Sequence, residues 1–204
     1  AWGDPEAVIY PRSSAKMIQA LPLVESGAAD RFALSQDRLA LACASHIGAS
    51  YHTDRVRAWL NEIGLADGDF RCGAHEPGDR DARDALIRAG TGPCQYHNNC
   101  SGKHSGFLTL NLHLGAGSEY VEPDHPVQKA VRDAFEDVTG APSPGYGIDG
   151  CSAPNFACTV SGLARAMAGF ATAGARSGAR AKAQVRLVEA MTAFPELVAG
   201  EARA

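Results

Sequence analysis

Tyr96-His97-Asn98-Asn99-Cys100-Ser101-Gly102-Lys103-His104-Ser105-Gly106 runs directly into an apolar segment, Phe107-Leu108-Thr109-Leu110-Asn111-Leu112. Eleven residues thus gather a thiol, an amine, two imidazoles and two side-chain amides at the foot of what reads as a buried helix. A polar turn seated on a rigid element is how folds present reactive groups. The plain alternative is a helix start capped by Asn or Ser, with His and Lys facing water. Two further stretches weigh against that alternative, Arg12-Ser13-Ser14-Ala15-Lys16 and Asp149-Gly150-Cys151.

Ser13 and Lys16 stand three apart, a spacing that returns two side chains to one helix face. In a Ser-x-x-Lys pair the amine acts as general base toward the hydroxyl. The demand on the amine is large, because a free lysine titrates near about 10.4 and half-neutrality at pH 7 requires roughly 4.6 kcal/mol of differential stabilisation. Burial or a neighbouring positive charge, such as Arg12 or a metal, has to supply it. The same spacing also fits a capped surface helix.

The 204 residues, 45% of them hydrophobic, are enough to bury a core. A net charge of −4 disfavours a polyanionic partner, so no nucleic acid is expected. No apolar run reaches the roughly 18 residues of a membrane span. Six cysteines are too sparse for a disulfide scaffold and suit a reduced, cytoplasmic protein. The chain opens at Ala1 without methionine and reads as a piece of something longer.

Along the chain, Val8-Ile9-Tyr10 is β-prone and expected to join a sheet. Ser13 is placed to cap a helix that runs to Ala20 and ends by Pro22. Ser35 opens a second helix leading to Ser45-His46, and Thr53 is expected to cap a third that Gly64 stops. A loop over Cys72–Gly78 carries His75 and Glu76, and a charged helix follows from Asp79 to Ala89. Asp124-His125-Pro126 marks the start of a helix with the stripe Val127, Ala130, Val131, Ala134 and Phe135. Residues 139–155 read as one long irregular loop around Asp149, a length that is usually functional or disordered. A short strand near Phe156–Val160 precedes helices over Ser161–Ala173 and Arg180–Phe194. Arg176, Arg180, Lys182 and Arg186 read as a solvated face.

Cys100, Lys103 and His104 share one turn, while Cys151 reaches them only through tertiary structure. Three chemistries fit these groups: a thiolate zinc site, a nucleophilic cysteine with His104 as base, or plain buried thiols. Spacing alone does not separate them.

The order of Arg12-Ser13-Ser14-Ala15-Lys16, Leu41-Ala42-Cys43-Ala44-Ser45-His46, Cys72-Gly73-Ala74-His75, Asn98–His104, Asp124-His125-Pro126-Val127-Gln128 and Ile148-Asp149-Gly150-Cys151-Ser152-Ala153-Pro154 resembles the L-asparaginase II family, the rhizobial-type asparaginases. The resemblance implies an α/β (α+β) fold similar to serine β-lactamases and glutaminases, here a helix-rich fragment with an incomplete antiparallel sheet. Residues 1–204 would be a single domain truncated at both ends. It implies hydrolysis of L-asparagine to L-aspartate and ammonia through an acyl-enzyme, with Ser13 as nucleophile, Lys16 as its base and Ser45 as the hydroxyl of a second serine–lysine pair. Cys100, Lys103 and Cys151 would hold zinc, Asp149 would organise its water and contact substrate, and Arg12 and His104 would contact the substrate's carboxylate and amide. A homodimer is compatible with the family. The family's lysine partner for Ser45 lies in a later segment, so this chain alone is expected to be poorly active, an expectation that full turnover in an ammonia-release assay would overturn. A penicillin-recognising serine acyltransferase and a catalytically incomplete zinc-binding fragment are the competing readings.

Overall fold

The computed structural model describes residues 3–201. In chain order its helices are α1 Lys16–Gln19, α2 Leu21–Glu25, α3 Ala28–Arg31, α4 Gln36–Ala42, α5 Ser50–Glu62, α6 Arg80–Ala89, α7 Ser101–Leu114, α8 Pro126–Thr139, α9 Val160–Ala171, α10 Ala179–Ala193 and α11 Pro195–Val198. The strands are β1 Val8–Ile9, β2 Tyr146–Ile148, β3 Pro154–Phe156 and β4 Cys158–Thr159. They form two small antiparallel sheets, β1 with β4 and β2 with β3. The arrangement is the helix-rich α+β architecture expected. None of the described helices is long and apolar enough to cross a membrane.

Helix α7 is the axis of the fold. Every residue from Ser101 to Asn111 is buried, and α2, α3, α4, α5 and α8 pack around it. A helix with apolar residues on all sides belongs in the interior, and α7's polar residues find partners there. Thr109 Oγ1 accepts from Trp59 Nε1 at 3.1 Å and donates to the Ser105 carbonyl at 2.8 Å. The surrounding helices present stripes at helical spacing, Val56, Trp59 and Leu60 on α5 and Val127, Val131, Ala134 and Phe135 on α8.

Gly102 and Gly106 let α4 lie against α7, the first against Leu41 and the second against Ala42. A Cβ on Gly102 would stand 2.3 Å from the Leu41 carbonyl oxygen and 2.9 Å from its carbon, both backbone atoms. This contact sets where the end of α4 releases Ala44 and Ser45. Gly102→Ala is therefore expected to destabilise the fold by about 1–3 kcal/mol or more, seen as an earlier denaturation midpoint. An unchanged midpoint would show that the helices can separate freely.

Several sequence expectations hold. The Asp79 side chain caps α6 by accepting from Ala82 N at 2.8 Å, and Gly90 closes it in the left-handed region. Pro126 begins α8 and Gly140 ends it. Val8 and Ile9 do join a sheet, opposite Thr159 and Cys158. Others are corrected. Arg12–Ala15 forms a 3-10 turn in which Ser13 caps nothing, and Pro22 lies in the first turn of α2 instead of ending a helix. Helix α5 starts at Ser50, and the Thr53 hydroxyl bonds back to the Ser50 carbonyl at 3.1 Å inside its first turn. Residues 139–155 are not one irregular loop, because β2 and β3 make a hairpin there. Nor are the α10 cations merely solvated. Arg180 pairs with Asp137 at 2.6 Å and with Glu25, and Arg186 with Asp30 at 2.9 Å.

Candidate active site

The 3-10 turn carrying Ser13, the loop carrying His75, the residues leading into α7 and the tip of the β2–β3 hairpin meet at one cavity of about 180 Å³. Arg12, Ser13, Asn99, Cys100, Asp149 and Cys151 are among the residues that line it, with His75 and Asn98 beside them. The hairpin tip is built to hold its residues still. Asp149 N donates to the Ala153 carbonyl at 3.0 Å, Ser152 N donates to the Asp149 carbonyl at 2.8 Å, and Ser152 takes φ +68°.

Arg12 likewise adopts a positive φ of 50°, uncommon for a residue with a Cβ. Two contacts hold it there. Its backbone N–H donates to Asn155 Oδ1 at 3.2 Å, and its guanidinium reaches Asp149 Oδ1 from Nη2 at 2.9 Å and from Nε at 3.2 Å. The Asp149 side chain is 13% exposed and that of Arg12 is 68% exposed, so the pair presents a cation outward over a shielded carboxylate.

Ser13 Oγ donates to Ser45 Oγ at 3.3 Å, and Asn99 Nδ2 reaches the same oxygen at 3.3 Å. Ser45 is placed by backbone bonds on both sides, Ser45 N to the Val198 carbonyl at 2.8 Å and His46 N to the Asn99 carbonyl at 3.1 Å. His46 turns inward, stacks on His52 with centroids 4.7 Å apart, and is kept neutral by burial. Ser45, not His46, is thus the member of that dipeptide facing the site.

Lys16 is 2% exposed, and its Nζ donates to the Ala44 carbonyl at 2.6 Å. Burial lowers its pKa, Cys100 opposes that fall, and Lys103 reinforces it. The expected amine is therefore under the site and biased toward neutrality, although its bond is to Ala44 and not to Ser13.

Lys103 is 3% exposed and donates to Cys151 Sγ at 3.1 Å. The Cys100 and Cys151 thiols act on each other directly, and their ionisation is driven apart. Cys151 lifts Cys100, with burial adding to it, while Cys100 lowers Cys151 against the effect of burial, helped by His104 and Lys103. Burial alone would lower Lys103, but the sulfurs of Cys151 and Cys100 outweigh it and the net shift is upward. The other buried thiols behave as core, with Cys43 and Cys72 pushed up to about 12, chiefly by burial.

Two sulfurs and an amine become a donor set for a thiophilic cation such as zinc only once Lys103, which the sulfurs keep charged, gives up its proton. Among the described residues no three His, Cys, Asp or Glu side chains gather at one point, so such a site would need Lys103 to complete it.

His104, expected to contact the substrate's amide, is 0% exposed and is not among the residues that line the cavity. Its Nδ1 is 2.9 Å from Tyr120 Oη, and burial brings its pKa down to about 4. Sequence reasoning missed several supporting groups. Asn98 Nδ2 donates to the Cys72 and Gly73 carbonyls at 2.9 and 3.0 Å, holding the loop of His75 against the start of α7. His75 itself is exposed, as its loop suggested, yet it borders the cavity. Asn98 and Asn99 could have been found from their place in the opening stretch, whereas Asn155 and Tyr120 carry no local signal.

Compared with known proteins, residues 1–204 match the family model described as L-asparaginase II. No curated protein matches the chain.

Proposed function

The chain belongs to the L-asparaginase II family, hence to asparaginase-type hydrolases, and from that premise we propose that it converts L-asparagine to L-aspartate and ammonia through an acyl-enzyme on Ser13. The observation that carries this reading is Ser13 at the cavity with the buried, down-shifted Lys16 amine on the next helical turn. Ser13 Oγ attacks the side-chain amide carbon as its proton passes to neutral Lys16. The tetrahedral adduct collapses, the C–N bond breaks, and ammonia leaves with a proton from the Lys16 ammonium. Water then attacks the β-aspartyl ester, returning its proton through the same amine and freeing Ser13. Ser45, itself held by the Asn99 amide, accepts from the Ser13 hydroxyl and keeps it in place.

A cavity of about 180 Å³ bordered by one cation and one carboxylate suits a small zwitterion. Arg12 would take the α-carboxylate and Asp149 the α-ammonium. Cys100, Cys151 and Lys103 would hold zinc, which when bound supplies Lewis acidity and a fixed positive charge beside the substrate.

Asp149→Asn is expected to weaken L-aspartate binding about 10–100-fold by calorimetry, the loss typical of a charge-assisted contact. Unchanged affinity would remove Asp149 from the substrate's neighbourhood. The reading as a whole is tested by ammonia release from L-asparagine, with nitrocefin as the control. Turnover of nitrocefin without asparagine would favour a penicillin-recognising acyltransferase instead.

A further inference from the structure

We propose that the site takes a second class of substrate, short peptides that begin with asparagine, whose second residue is held in a neighbouring cavity beyond the Arg12–Asp149 pair. The chemistry of this inference rests on the amidohydrolase reading above, while the binding of the second residue does not.

The neighbouring cavity measures about 320 Å³. Arg12, Asp149 and Gly150 border both it and the catalytic cavity, so the two compartments meet across one ion pair. Tyr10, Ile148 and Asn155 line the second cavity and not the first. Asn155 is 5% exposed, and counting hydrogens orients its amide. The backbone N–H of Arg12 can only donate, so Oδ1 is the Asn155 atom that faces it, at 3.2 Å. Nδ2 is then left as a donor without a partner among the described residues, on a buried side chain that lines the cavity. Buried amides normally have their donors satisfied, and a ligand oxygen would do so here. The Arg12 guanidinium directs Nε and Nη2 at Asp149, which leaves Nη1 available. Beside these donors stand Tyr10 and Ile148, each more than half exposed. A Cβ on Gly147 would lie 3.6 Å from the Tyr10 ring, so that ring runs along β2 as a wall of the cavity.

The lining decides which end of asparagine is extended. A peptide with asparagine first keeps the α-ammonium that Asp149 takes, and it adds a carbonyl, a side chain and a terminal carboxylate. Asn155 Nδ2 suits the carbonyl, the outer N–H groups of Arg12 suit the carboxylate, and Tyr10 and Ile148 suit an apolar side chain. A peptide with asparagine last would lose the ammonium at Asp149 to an amide bond and bring its own ammonium up to Arg12. The reaction itself is unchanged: water hydrolyses the side-chain amide, ammonia leaves, and the peptide bond stays intact.

The test begins with calorimetry on product peptides, L-aspartyl-L-leucine and L-leucyl-L-aspartate, beside L-aspartate. The peptide with aspartate first should bind about 10–100-fold more tightly than the reversed one, the difference made by a charge-assisted contact. Ile148→Ser should weaken it about 10-fold, the scale of one or two buried methylenes, and leave L-aspartate unchanged. No detectable binding of that peptide, equal affinity for the two orders, or a full-strength peptide complex in Ile148→Ser would overturn the inference. If Ile148→Ser fails to fold, the comparison of the two orders in the unsubstituted chain decides alone. Ammonia release separates the two readings, since L-asparagine and L-asparaginyl-L-leucine should both be turned over. Turnover of L-asparagine alone would overturn the inference and leave the amidohydrolase reading standing. Turnover of neither, with the product peptide bound as expected, would overturn the amidohydrolase reading and leave the second cavity as a binding site.

Discussion

Replacing Ser13 with alanine is expected to cut the rate of acylation by L-asparagine on the order of 10³-fold or more, with little change in stability. Ser13 is exposed, and its recorded side-chain bond is the 3.3 Å contact to Ser45, so its loss opens no cavity and strands no buried group. The measurement should be a single-turnover acid quench, which isolates bond formation from the later release of aspartate. Ser45→Ala provides the contrast. If Ser45 only orients Ser13, its removal should cost much less. A Ser13→Ala variant that acylates at the parent rate would transfer the role to another group, with Ser45 the nearest hydroxyl.

Lys16→Met is expected to reduce acylation about 10²–10⁴-fold, the range of a positioned general base, while leaving the protein as stable or more so. The pairing of those results distinguishes a base from a structural amine. Burial sets the native pKa of Lys16 below its unfolded value. Between those two values the unfolded chain holds more protons than the native one, so stability rises with pH across that window. The penalty is complete below the native pKa and gone above the unfolded value near about 10.4. Methionine removes it, so at neutral pH the variant's melting temperature should not fall, and its dependence on alkaline pH should flatten. Acylation by the parent should climb as pH rises through the native Lys16 pKa, because the neutral amine is the active form. A variant that loses stability and activity together would instead mark the Lys16 bond to Ala44 as structural.

What could be read from the sequence followed the strength of the local signal. Helices α6 and α8 carry Asp, His-Pro and Gly at their ends, and the structure uses those residues as their positions suggest. The hairpin in 146–156 was hidden because its strands are three residues long and contain Gly147 and Pro154, too short for alternation to register. Thr53 misled because a hydroxyl one turn inside a helix has the same composition as one at its cap. The Arg180 ion pairs join residues 43 and 155 apart, a relation no local window contains.

The site divides the same way. The Ser13–Lys16 spacing and the thiol, amine and imidazole of the α7 start were visible as candidates. That Cys151 joins them depends on a hairpin packed across the fold, and family resemblance anticipated what spacing could not. For His104, on a helix buried all round, being one turn from Cys100 does not say which side faces a cavity. The side it faces holds Tyr120, a residue that no motif singled out.

The central claim, that a hydroxyl at the amino end forms the covalent intermediate, is tested most directly by quenching the chain in acid during reaction with L-asparagine and mapping the adduct by peptide mass spectrometry. A β-aspartyl ester is expected on the peptide containing Ser13 and is absent from Ser13→Ala. A β-aspartyl thioester on Cys100 or Cys151, or ammonia release that persists undiminished in Ser13→Ala, would contradict it.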